Sequence, residues 1–173
     1  EGADARIRRA HPDPGLQSRP MPTFSRAEME REFKAYQERG RIAGETGDWS
    51  PWADQFTEDA LYIEHLFGRF EGREAIREWI TGCMTTFPND QFTSFPIEWA
   101  VFDEERGWIV CEVQNRLNDL GDGNVYQASN FTRLVYAGDG MWSYEEDVYN
   151  PRSMADAVGA WMTARKALKA SGD

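Results

Sequence analysis

Residues 56–80 read FTEDALYIEHLFGRFEGREAIREWI, a strand that hands over to a helix. From Ala60 to Phe67 the side chains fall into two alternating sets, Tyr62/Glu64/Leu66 and Leu61/Ile63/His65/Phe67. A strand here sends Tyr62 and Glu64 to one face and His65 to the other. Neither set is purely polar, so an ionisable side chain is delivered against apolar neighbours, where desolvation favours the neutral form of a carboxyl or imidazole. Gly72 then opens a helix on which Ile76, Trp79, Ile80, Cys83, Met84 and Phe87 form an apolar stripe, with Pro88 ending it. That stripe reads as core.

Working outward, Ser25-Arg-Ala-Glu28 is a capping-box pattern followed by Met29, Phe33 and Tyr36 at helical spacing. It predicts a helix from about 26 to the low forties, stopping near Gly44 to Gly47. Asp48-Trp-Ser-Pro51 caps a short helix running through Phe56. Downstream, four strand-like runs, 92–102, 108–118, 125–137 and 141–149, are separated by the turn signals DEERG, GDGN and AGDG. Asn150-Pro151 starts a last helix with Met154, Ala157, Val158 and Trp161 on one side. This order predicts an α+β fold, a curved antiparallel sheet with helices packed on its concave face around a cavity.

The chain has 19 basic and 30 acidic residues, a formal charge of −11, which opposes nucleic acid and anionic membrane surfaces as partners. No apolar run approaches the roughly 18 residues of a bilayer span, so no membrane partner and a cytoplasmic location are expected. Residues 1–20 carry three prolines and clustered arginines without periodicity. They read as a tail, either vector-derived or an upstream extension, ahead of one domain over 21–173, with Met21 as its natural start. Cys83 and Cys111 are too few for a disulfide framework or a zinc site, and with one histidine outside the tail no metal-ligand spacing is present. No phosphate loop or nucleophile elbow occurs, so neither metal nor cofactor is expected.

On the strand from Trp108, Ile109/Cys111/Val113/Asn115/Leu117 is the apolar set, which places Asn115 as a polar residue facing inward. It either bonds neighbouring backbone or contacts a ligand. On the last strand Glu145, Asp147 and Tyr149 share one face and Glu146 and Val148 the other. Three consecutive acids are too many to bury together, so at least one is expected to be solvated.

The order FTEDAxYxEH followed by FEGREAIREWI, with WSYEEDVYNP at residues 142–151, resembles the SnoaL-like branch of the nuclear-transport-factor-2-like (NTF2-like) superfamily over residues 24–152. The resemblance implies a sheet wrapped around a conical cavity, and a homodimer, which we expect to form through Glu112, Gln114 and Arg116 on the outer sheet face. Relatives include polyketide cyclases, ketosteroid isomerase, scytalone dehydratase and limonene-epoxide hydrolase, so the fold is implied more firmly than the reaction. Tyr62-Ile63-Glu64 is similar to the hydrolase's Y-x-N motif with Glu replacing Asn, but its Arg-x-Asp pair is matched only by Arg116-Leu117-Asn118, so the hydrolase dyad is incomplete. Glu64 resembles the base position of ketosteroid isomerase, and Tyr36 lies on the helix from which that enzyme supplies a phenol.

The expected function is therefore a cofactor-independent isomerase, cyclase or dehydratase for a hydrophobic small molecule. Glu64 is its expected base, Asp147 a second acid, and Tyr62 an orienting group. Asn115, His65, Tyr36 and Trp79 are the expected substrate contacts. For His65, strict alternation points it away from the cavity, whereas a bulge at Gly68 would re-aim it. The alternative is a non-catalytic module of the same fold that binds an apolar ligand or a protein partner.

Overall fold

The structure, a computed structural model, describes residues 24–171. The expected tail at 1–20 and the expected start at Met21 lie outside these residues. Helix α1 (Arg26–Thr46) begins where the Ser25 hydroxyl accepts the Glu28 N–H at 3.2 Å and ends at Gly47, whose φ of 74° suits a glycine cap. Only half of the capping box forms. The Glu28 carboxylate instead accepts the Tyr136 hydroxyl at 3.0 Å, fastening the start of the helix to the sheet.

A 3-10 turn (Pro51–Gln55) leads into strand β1 (Phe56–Glu64), which pairs with the short β2 (Gly68–Glu71). The expected strand to Phe67 is thus cut at Glu64, because its carboxylate accepts the N–H groups of Leu66 (2.7 Å) and Phe67 (2.6 Å) and closes a turn. Helix α2 (Arg73–Met84) follows and stops three residues before the expected Phe87, where the hydroxyls of Thr85 and Thr86 bond carbonyls of its last turn. The run expected at 92–102 is two strands, β3 (Phe92–Ser94) and β4 (Ile97–Asp103), interrupted at Phe95-Pro96. Proline lacks the N–H a continuous ladder needs. Strands β5 (Trp108–Leu117), β6 (Gln127–Gly138) and β7 (Met141–Val148) complete the sheet, and α3 (Pro151–Ser171) ends the described chain.

The strand order is β2-β1-β7-β6-β5-β3, with β4 also on β5. All pairs are antiparallel except β1 with β7, which is parallel, so the curved, unclosed sheet is mixed rather than wholly antiparallel. The fold is the expected α+β cone. A core of Met29, Phe33, Trp52, Phe56, Ile76, Leu134 and Trp142 lies between sheet and helices α1 and α2. A smaller cluster forms where Trp161 of α3 packs with Phe92 and Leu117 and donates its indole N–H to the Asn118 carbonyl at 2.8 Å. Burying rings of this size contributes about 2–3 kcal/mol each. No helix among the described residues is long and apolar enough to cross a membrane.

Candidate active site

A cavity of about 180 Å³ opens between the concave face of the sheet and the helices. Each of its walls follows from strand or helix periodicity. Tyr62 and Glu64 enter from β1, Asn115 from β5, Asn130 and Thr132 from β6, and Glu145 and Asp147 from β7, with Tyr149 just beyond. Helix α1 adds Tyr36, and α2 adds Trp79, Ile80, Cys83 and Met84, so the stripe read as core is also a cavity wall.

Two carboxyl groups, Glu145 buried and Asp147 partly buried, dominate the chemistry. The Tyr36 hydroxyl donates to Glu145 Oε1 at 2.7 Å, and Glu145 is 2% exposed, while its Oε2 has no hydrogen-bond partner among the described residues. Asp147 accepts the Tyr62 hydroxyl on one oxygen and, on the other, the Thr132 hydroxyl and the Asn130 amide, the last at 2.8 Å. Asn130 is held in turn by Asn115, whose amide donates to its side-chain oxygen at 2.6 Å. A carboxylate has about four acceptor positions, so three donors leave one open.

These surroundings separate the two acids. Burial, and then the neighbouring Asp147 charge, push Glu145 well above the usual carboxylate range. Burial also raises Asp147, but the Thr132 and Tyr62 hydroxyls oppose it, and it settles at about 6. Of the two, Glu145 holds its proton the more tightly, since the Asp147 charge adds to its burial. Both tyrosines are raised well above the usual phenol range, first by burial and then by the acids beside them, so they remain donors. Burial pushes Cys111 up to about 12 and raises Cys83, so neither is a thiolate at neutral pH.

Of the residues expected from sequence, Glu64, Asp147, Tyr62, Asn115, Tyr36 and Trp79 all line this cavity. His65 does not. It is exposed and bonds Glu146 at 3.0 Å on the outer face, because alternation holds through Glu64 and no bulge re-aims the ring. Glu146 is the solvated acid of the three, held below its usual range by the Tyr144 hydroxyl, His65 and Arg133. Glu64 reaches the cavity, yet one of its oxygens already serves the turn after β1, and its neighbour Tyr149 is raised by burial and by its bond to Glu64. Glu145, Asn130 and Thr132 were not singled out from sequence. The alternation that placed Asp147 inward places Glu145 there too. Asn130 and Thr132 were hidden because Phe131 between them is apolar yet half exposed.

Residues 35–145 match the SnoaL-like domain family. No curated protein matches the chain. Several solved structures share its fold. An NTF2-like protein from Anabaena variabilis ATCC 29413 is 19% identical, with 75% of this chain and 95% of that one aligned at a TM-score of 0.55. An LEH-like epoxide hydrolase from M. tuberculosis is 15% identical over 80% and 94% of the two chains, TM-score 0.58. A candidate SnoaL-like polyketide cyclase from Jannaschia sp. CCS1 is 16% identical over 83% and 98%, TM-score 0.58. At these identities the likeness shows a shared fold only. The arginine of Arg116-Leu117-Asn118 bonds Gln127 at 2.9 Å, and no arginine lines the cavity among the described residues.

Proposed function

The chain belongs to the SnoaL-like domain family, and from that premise we propose that it is a cofactor-independent acid/base enzyme acting on a small hydrophobic molecule. The reaction class is isomerisation, cyclisation or dehydration. One observation carries this reading: two adjacent carboxyl groups on the cavity face of β7, each bonded by its own tyrosine, with environments that drive their protonation apart.

In this reading Asp147, rather than Glu64, is the general base, since its affinity for a proton is matched to neutral pH and one acceptor position is free. Protonated Glu145 offers its unpartnered Oε2 as the donor that meets developing negative charge on substrate oxygen. Tyr36 and Tyr62 fix the two carboxyl groups, and Asn115 through Asn130 holds Asp147 in place. Trp79 and its aromatic neighbours exclude water and take up the hydrocarbon body.

The test is exchange of the α-protons of 1-phenylpropan-2-one and related single-ring ketones in D₂O, followed by NMR. The native protein should accelerate exchange over buffer, and Asp147→Asn should lose about 100-fold or more of it. Exchange at the buffer rate with every ketone contradicts the reading. A second reading, a binding module, is favoured by the three donors already on Asp147, which are what a purely structural buried acid needs. Ketone binding without exchange would select it.

We also propose that the protein pairs through the outer sheet face. Of the groups expected to mediate this, Glu112 and Arg116 are engaged within the sheet by Trp99 (2.7 Å) and Gln127 (2.9 Å), and Gln114 is buried and donates to Glu112 at 3.4 Å. The exposed apolar Trp99, Val101, Phe131 and Val148 on the same face supply the better contact.

A further inference from the structure

Glu64 and Asp147 are register partners on adjacent strands, and Glu145 follows two residues before Asp147 on the same face. Three acidic groups thus share one wall of a small cavity. Like charges placed opposite each other on neighbouring strands are destabilising, and a buried charge is costly unless paired. Yet no lysine, arginine or histidine lines this cavity among the described residues. The donors present, the Tyr36, Tyr62 and Thr132 hydroxyls, the Asn130 amide and the backbone N–H groups of Leu66 and Phe67, are neutral. They orient the acids without balancing them.

Two further features point to what would. Aromatic rings continue along the acidic wall, Trp52 to Tyr62 at 6.3 Å and Tyr62 to Trp79 at 4.7 Å between centroids. Rings beside carboxylates suit an organic cation, which gains from both. Among the described residues no three His, Cys, Asp or Glu side chains converge to hold a metal ion. Independently, Glu145 is 2% exposed and its Oε2 has no partner, so a second polar group of the ligand is needed beside it. The volume bounds the size: an engineered apolar cavity of about 150 Å³ holds benzene, so a cavity of about 180 Å³ suits one ring with a short side chain.

We propose that the substrate is a small hydrophobic amine carrying a carbonyl or hydroxyl group, its ammonium seated beside Glu64 and its oxygen at Glu145. The inference rests on the acid/base reading for the oxygen's role, but the cation claim stands or falls on binding alone. Glu64 then acts in recognition, leaving Asp147 to face the reacting carbon.

The experiment is calorimetric titration of the native protein at neutral pH with three matched probes: 2-phenylethylamine, 2-phenylethanol and 3-phenylpropionate. The amine should bind roughly tenfold tighter than the alcohol, the scale of a partly screened ion pair joined to a cation–π contact, and the carboxylate weakest. In Glu64→Gln the amine's advantage should disappear while alcohol affinity holds, which shows that the cavity is intact. Equal or tighter binding of the alcohol, failure of the amine to bind, or an advantage undiminished in Glu64→Gln each overturns the proposal. If the alcohol wins while ketone exchange still depends on Asp147, the cation claim fails and the acid/base reading survives.

Discussion

Glu64 on β1 and Asp147 on β7 are register partners in the only parallel strand pair among the described residues, and both side chains enter one cavity. The same register sets Tyr62 opposite Glu145, yet the Tyr62 hydroxyl reaches along the strand to Asp147, while Glu145 is met by Tyr36 from α1. Each acid therefore takes its phenol from a different element.

If Asp147 is the base and Glu145 the acid, exchange of a ketone substrate should show a bell-shaped pH dependence. The rising limb follows Asp147 as it ionises near pH 6, and the falling limb lies at higher pH, where Glu145 loses its proton. A rate independent of pH between 5 and 8 would count against the assignment, since about one decade of change in the base form of a group titrating near 6 is at stake there.

Stability should carry the opposite signature on the rising side. Asp147 binds its proton more tightly folded than unfolded, from 3.8 to about 6, so its contribution is present at low pH and is lost as pH rises through this window. The loss is about 3 kcal/mol for a shift of this size. Urea unfolding at pH 4 and pH 7 should show this decline in the native protein and a smaller one in Asp147→Asn. Equal slopes in the two proteins would contradict it.

Tyr36→Phe leaves Glu145 Oε1 without its donor. Stability should fall by about 1–3 kcal/mol, the cost of stranding a buried polar atom. Glu145 should become still harder to ionise, moving the alkaline limb of the rate profile upward. An unmoved limb would show that the phenol does not control Glu145.

Gly44→Ala tests the packing that shapes the cavity. A methyl group at this position of α1 would overlap the carbonyl oxygen of Thr93 on β3, a backbone atom with little room to yield. Unfolding should show a loss of about 1–3 kcal/mol, typical of overpacking. Native-like stability would mean that α1 and β3 sit farther apart.

Pairing through the outer face predicts a dimer by light scattering and a monomer for Phe131→Glu, which places a charge amid Trp99 and Val148. A native monomer at micromolar concentration would remove this proposal.

The architecture was legible because alternation and helical spacing are strong over long segments. The inward set of β5 and the apolar side of α3 follow directly from them. Local chemistry was less visible. The hairpin with β2 depends on Glu64 capping its own turn, and the break between β3 and β4 on how Pro96 leaves the ladder. In the site, Glu64 was conspicuous as the carboxylate sharing a face with Tyr62 on the alternating run and as the counterpart of the isomerase's base position. Glu145 was masked by its neighbours, because burying two acids on one face looks prohibitive until the tyrosines from α1 and β1 are in place. Those partners are 109 and 85 residues away in sequence, beyond any local pattern.

The most direct measurement is the titration of the carboxyl carbons of Glu145 and Asp147 by ¹³C NMR, assigned with Glu145→Gln and Asp147→Asn. The account predicts that the pair loses its first proton near pH 6 and retains the second through neutral pH. If both carboxyl groups ionise below about pH 5, in the range of ordinary Asp and Glu, the cavity holds no poised acid and base, and the proposed chemistry fails.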